Sequence, residues 1–140
     1  MRHRSLLFGL TIALIAACVP APKKAYTPDE VEALGDIDEI MRVLAQDADP
    51  LFSIRDQEAF SEAELASMVT AGGKIQRAAK GLADNHADAH GGESFQGFAR
   101  SLGAEAKKLE EAAGAKDAAG SGAALSAMKK VCAGCHREHR

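Results

Sequence analysis

Apolar residues along this chain recur at intervals of three and four, the period of helices that bury one face, and no stretch alternates as a half-buried strand would. Thr27-Pro28-Asp29-Glu30 has the form of a capping box with proline at the first helical position. Leu34, Ile37, Met41, Leu44 and Ala48 then form one stripe, which predicts a helix A closed by Pro50. Ser61-Glu62-Ala63-Glu64 is a second capping box and opens helix B, with Leu65, Met68, Gly72, Ile75, Ala79 and Leu82 on its stripe. Gly72-Gly73 should weaken or bend its middle. A polar loop holding His86, His90 and Gly91-Gly92 is expected next. Phe95, Phe98, Leu102, Ala106, Leu109 and Ala113 mark helix C. Helix D starts near Asp117, its onset blurred by Gly120 and Gly122, and carries Leu125, Met128, Cys132 and Cys135 on one stripe.

Four helices of roughly 16 to 24 residues joined by modest loops predict an all-α fold, an antiparallel up-down four-helix bundle over residues 27–140 whose core can hold a cofactor. The apolar positions are rich in alanine and the chain has no tryptophan. Such a core has limited apolar area of its own, so a buried cofactor would fill volume that is otherwise a cavity.

The N-terminus reads differently. Arg2, His3 and Arg4 precede an apolar run from Leu6 to Ala17, a charged n-region followed by an h-region. The run is shorter than the roughly 20 residues that span a membrane. Leu14-Ile15-Ala16-Ala17-Cys18 resembles a bacterial lipobox, which makes residues 1–17 a lipoprotein signal peptide and Cys18 a lipidated mature N-terminus; the alternative is an ordinary secretory signal with an incidental cysteine. Residues 18–26 include two prolines without periodicity and read as a tether. Either signal places the mature chain outside the cytoplasm, on the periplasmic side of a bacterial membrane.

The formal net charge is −3 and becomes more negative once Arg2 and Arg4 are removed, which argues against nucleic acid as a partner. Asp29, Glu30, Glu32, Asp36, Asp38 and Glu39 make the start of helix A acidic, either as a surface that steers a basic redox partner or as a solvated face supported by the helix dipole. Lys23 and Lys24, beside the tether, carry little weight as a membrane contact.

Cys132-Ala133-Gly134-Cys135-His136 is the C-x-x-C-H pattern through which haem is attached to protein. Two thiols three apart share one face of a helical turn, where both can add to the vinyl groups of one porphyrin, and the adjacent imidazole can reach the iron from the same side. The pattern also occurs, without the histidine, in redox dithiols and at zinc sites. The chain has three cysteines; with Cys18 at the lipid site, the other two are left for haem and no structural disulfide is expected, the alternative being that Cys132 pairs with Cys135 or that both stay free. The expected cofactor is one covalently attached haem c per chain.

With the motif on its last helix, the chain resembles the class II cytochromes c, the cytochrome c′ family, over residues 27–140, most specifically in Val131-Cys132-Ala133-Gly134-Cys135-His136-Arg137-Glu138-His139-Arg140. The resemblance implies a four-helix bundle in which Cys132 and Cys135 form the thioethers, His136 is the proximal iron ligand and Arg140 is a basic residue at the haem edge. His139 departs from it, standing where the family usually has an aromatic residue. Acidic helix A departs as well, since members often carry a basic residue there.

The resemblance also implies two branches: a low-spin electron carrier with a helix A methionine on the iron, and a five-coordinate protein that binds NO or CO. Met41 lies on the inward stripe of helix A and is the candidate distal ligand, against the ordinary role of a methionine as core filler. Met68 reads as packing, and Met128 shares a helix with His136 and cannot easily reach the other side of the ring.

The expected function is therefore single-electron transfer to a periplasmic or membrane redox protein. No nucleophile, base and orienter set at recognisable spacing suggests an enzyme. Gas binding is the nearer alternative. A zinc-binding structural lipoprotein using Cys132, Cys135 and His136 or His139 is the remoter one, with His86 and His90 as the available second pair. Family members often dimerise through the first two helices, which leaves a homodimer open.

Overall fold

A computed structural model describes residues 24–139. The signal segment, Cys18, most of the tether and Arg140 lie outside the described residues.

The described residues form helices and turns, with no strand among them. The helices are α1 (Pro28–Glu32), α2 (Ile37–Ile54), α3 (Glu62–Gly81), α4 (Ala87–His90), α5 (Gly92–Gly114) and α6 (Ala118–His139), with a π-helical segment at Leu82–His86. The fold is all-α. The expected helices B, C and D are α3, α5 and α6.

Both capping boxes are present. Thr27 accepts from Glu30 N at 3.3 Å while Glu30 Oε2 accepts from Thr27 N at 2.8 Å. Ser61 and Glu64 repeat the pair at 3.2 and 2.7 Å. Each box satisfies two backbone donors that a helix start leaves without partners.

Helix A departs from expectation twice. It divides at Ala33–Asp36, where Asp36 Oδ1 accepts from Asp38 N at 2.9 Å and restarts the chain as α2. An aspartate offers the backbone this local partner, so it caps a new helix more readily than it continues an old one. Pro50 does not close the helix, which runs on to Ile54. The proline leaves the Gln46 carbonyl without a helical donor, but Leu51 is buried and Phe52 and Ile54 pack on the core beyond it. Tertiary packing overrides the local penalty.

The expected polar loop after helix B is also helical, through the π-segment and α4. The chain turns only at Gly91 and Gly92, with φ of 120° and 61°, values that glycine adopts at little cost. Gly72-Gly73 does not break α3. A Cβ at Gly72 would lie 3.0 Å from the Ala106 carbonyl, so its bare face is what lets α5 approach.

α5 packs along both α3 and α6, and α1 lies across α3. The apolar side chains form two clusters. One joins Leu51, Met68, Ile75, Leu109, Leu125 and Met128 from α2, α3, α5 and α6. The other joins Val31, Ile40, Val43, Leu82, Phe95 and Ala99 around α1, the start of α2 and the start of α5. Burial of each large side chain contributes about 1.5–3 kcal/mol. Leu44 of α2 packs against both clusters.

α2 and α6 meet at one end. A Cβ on Gly122 would lie 2.7 Å from the Arg55 carbonyl, so that end of α2 and the start of α6 are in near contact. Fourteen residues back from Arg55 is Met41, and fourteen forward from Gly122 is His136, each about 21 Å along its helix at 1.5 Å per residue.

Candidate functional site

A cleft enclosing about 770 Å³, part of it open to solvent, runs between the two apolar clusters. Met41, Leu44 and Phe52 line it from α2, Ile75 from α3, Phe95, Phe98 and Leu102 from α5, and Met128, Cys132, Cys135 and His136 from α6. The space within it that excludes open solvent is about 140 Å³, lined almost wholly by apolar side chains. Every helix of more than a few turns contributes to its wall.

The C-x-x-C-H residues lie within α6, so the two cysteines and the histidine take their spacing from a regular helix. Cys132 packs against the first cluster and Cys135 against the second, so the motif bridges the two sides of the divided core. Both are free thiols and both are half-buried. Burial raises the Cys132 thiol above its ordinary pKa, with the Cys135 and Asp49 charges adding to the effect. Burial also raises Cys135, aided by Glu138. Redox-active dithiols carry a thiol lowered by nearby positive charge, so this pair has the opposite electrostatics.

His136 is exposed at the rim of the cleft. Met41 is half-buried in the α2 wall and packs on the second cluster. The structure thus brings four predicted residues, Met41, Cys132, Cys135 and His136, to one cavity. Met68 is wholly buried core, as its stripe predicted, and Met128 is buried beside the cysteines.

The loop histidines separate. His86, expected in a polar loop, is buried, and its Nε2 lies 3.2 Å from the Leu34 carbonyl. Its ring is 6.2 Å from that of His90. Among the described residues no group of three or more His, Cys, Asp or Glu side chains is placed to hold a metal ion.

His139 fills an aromatic slot. Its ring meets Phe95 edge-on at 5.7 Å and Phe98 at 5.8 Å, and Ser94 Oγ lies 3.2 Å from its Nε2. The departure from the resemblance therefore keeps the packing of an aromatic residue. Phe98 also reaches the motif: a Cβ on Gly134 would be 2.9 Å from its Cε1.

Three lining features escaped the sequence reading. Phe95 and Phe98 were visible only as stripe residues, and their position at the cleft depends on how α5 lies against α6. Phe52 lay beyond the expected helix end at Pro50. Asp49 gave no signal, yet it is the one carboxylate on the cleft wall among the described residues.

The residues present suit an apolar, covalently held group: two thiols one helical turn apart, an imidazole next to them, a thioether from another helix and a wall that is otherwise apolar save for Asp49. Among the described residues no helix is long and apolar enough to cross a membrane. Compared with protein-family models, with curated proteins and with solved structures, the chain matches none.

Proposed function

We propose that the protein is an exported monohaem c-type cytochrome of the class II kind, an electron carrier held at the periplasmic face of a membrane by a lipid on Cys18. α2, α3, α5 and α6 are then the four members of an up-down bundle around one haem c. The observation that carries this reading is the convergence of Met41, Cys132, Cys135 and His136 on one apolar cleft that divides the core.

In this reading Cys132 and Cys135 would hold the haem covalently, and the His136 imidazole and the Met41 thioether would be the ligands of its iron. Haem supplies a one-electron iron couple, and histidine–methionine ligation raises its potential. The apolar side chains of the wall exclude water, and Phe98 and His139 brace the end of α6 that carries the motif. Oxidised and reduced absorption spectra of the matured protein, with carbon monoxide added last, test this. Low-spin bands that resist the gas are expected. A high-spin spectrum that shifts with carbon monoxide would instead make it a gas-binding member, and absence of a Soret band would overturn the haem reading.

A further inference from the structure

The lysines and arginines of α2, α3 and α5 are paired with carboxylates, Arg100 excepted: Arg42 with Glu39, Lys74 with Asp47, Arg77 and Lys80 with Glu32, Lys107 with Glu111 and Lys108 with Glu105. On α6 the reverse holds. Lys129, Lys130 and Arg137 are all exposed, and none is within ion-pair or hydrogen-bond distance of a carboxylate among the described residues. The acids at the start of the domain are largely committed elsewhere. Glu30 and Asp36 cap helices, Glu32 holds two cations, and Glu39 accepts from the Tyr26 hydroxyl at 2.6 Å.

The free cations also share a face. Lys129, Ala133 and Arg137 are spaced four apart, and Lys130 and Arg137 seven apart, so they fall on the outer side of the same helical turns that present the cysteines inward. Ala133, between the cysteines, is exposed and adds no bulk. Glu138, the one acid within α6, is drawn to Ser94 and His139, and Asp49 faces the cleft from α2.

Resting on the haem reading above, we propose that the outer face of α6 is the electron-transfer surface and that it docks an acidic face of a one-electron redox protein. The group held by Cys132 and Cys135 is separated from that face by a single helix, about 10 Å across. One electron leaves the ferrous iron, which becomes ferric, and the partner's oxidised centre gains it. A net negative chain with its free cations gathered over its cofactor orients toward such a partner at long range.

The test uses the full matured chain, reduced, with hexacyanoferrate(III) as an anionic oxidant and tris(phenanthroline)cobalt(III) as a cationic one. For the wild type, the rate with the anion should fall as salt rises. The triple variant K129E/K130E/R137E should lose about tenfold of that rate at low salt, gain rate with the cation, and converge on wild type at high salt. K107E/K108E on α5 serves as the control and should leave both rates unchanged. K129Q/K130Q/R137Q gives the same direction with a smaller effect and guards against misfolding of the charge-reversed chain. Equal rates for the wild type and both α6 variants, with a normal Soret band, would overturn the docking face while leaving the haem reading intact. A missing Soret band would overturn the haem reading. Wild-type cosedimentation that is stronger with anionic than with neutral phospholipid vesicles, with that excess lost in the triple variant and no change in the oxidation rates, would reassign the face to lipid and also overturn the proposal.

Discussion

Met41 of α2 and His136 of α6 line one cleft, each fourteen residues from the Arg55–Gly122 near-contact where α2 and α6 meet. Equal counts along the two helices place each residue about 21 Å from that near-contact. Replacing Met41 with leucine keeps nearly the same volume, so stability should change by less than about 1.5 kcal/mol. The thioether is lost all the same. M41L should therefore fold normally, become high-spin and bind carbon monoxide. An unchanged low-spin spectrum would show that another group ligates the iron.

The cleft divides the core into two clusters that Cys132 and Cys135 bridge. Filling it with a covalently held group restores contacts that the apo chain lacks, so C132A/C135A should unfold at a temperature several degrees lower than the matured protein. Calorimetry of the two forms measures this. Equal midpoints would mean that the cleft closes on itself without cost.

Much of this was legible in the sequence. The capping box at Ser61 and the three-four stripes located the start of α3 and the inward faces of α3, α5 and α6, because both depend on local spacing; on helix A the stripe missed the restart at Asp36 and the buried Ile40, Val43 and Leu51. Pro50 misled the reading because Leu51, Phe52 and Ile54 gain enough by packing to carry α2 past it. The segment after α3 misled for a related reason: Asp84, Asn85, His86 and Asp88 have loop-like composition, but His86 is buried against the Leu34 carbonyl and the chain stays helical. The site was legible through the cysteines, His136 and Met41. Asp49 and the slot for His139 depend on how helices approach one another, which spacing along a single helix does not encode.

His139 contributes as an aromatic ring. Replacing it with phenylalanine keeps the edge contacts to Phe95 and Phe98 and gives up the Ser94 interaction, so H139F should retain the fold within about 1 kcal/mol. H139A removes both aromatic pairs and should cost about 1–3 kcal/mol. Denaturant titration of the two variants decides the point, and equal losses would show that the polar contact matters more than the ring.

Acid should weaken the start of α3. The Glu64 carboxyl is held below its ordinary 4.5, first by the Ser61 hydroxyl and then by the Ser61 backbone N–H. A carboxylate with a depressed folded-state pKa contributes stability that is present above its unfolded value and lost as pH falls through the folded value. E64Q should therefore match wild type at low pH and be the less stable of the two near neutrality. Thermal midpoints from pH 7 to pH 3 measure the difference, and a constant gap across that range would exclude the carboxylate charge as its source.

Gly134, between Cys132 and Cys135, sets helix propensity against packing. Alanine in its place should favour α6 by about 0.5–1 kcal/mol, as in other helix interiors. Its Cβ would meet the Phe98 ring at 2.9 Å, and overpacking of this kind costs about 1–3 kcal/mol when the neighbour cannot move. Phe98 lines the cleft, so its freedom depends on what the cleft contains. In the apo chain the ring can swing into the open space, and G134A should be neutral or slightly stabilising. With a group filling the cleft that movement is blocked and the same substitution should destabilise. A double comparison, wild type and G134A with and without haem attached, isolates the coupling. A substitution effect of the same sign and size in both forms would mean that Phe98 does not respond to the contents of the cleft.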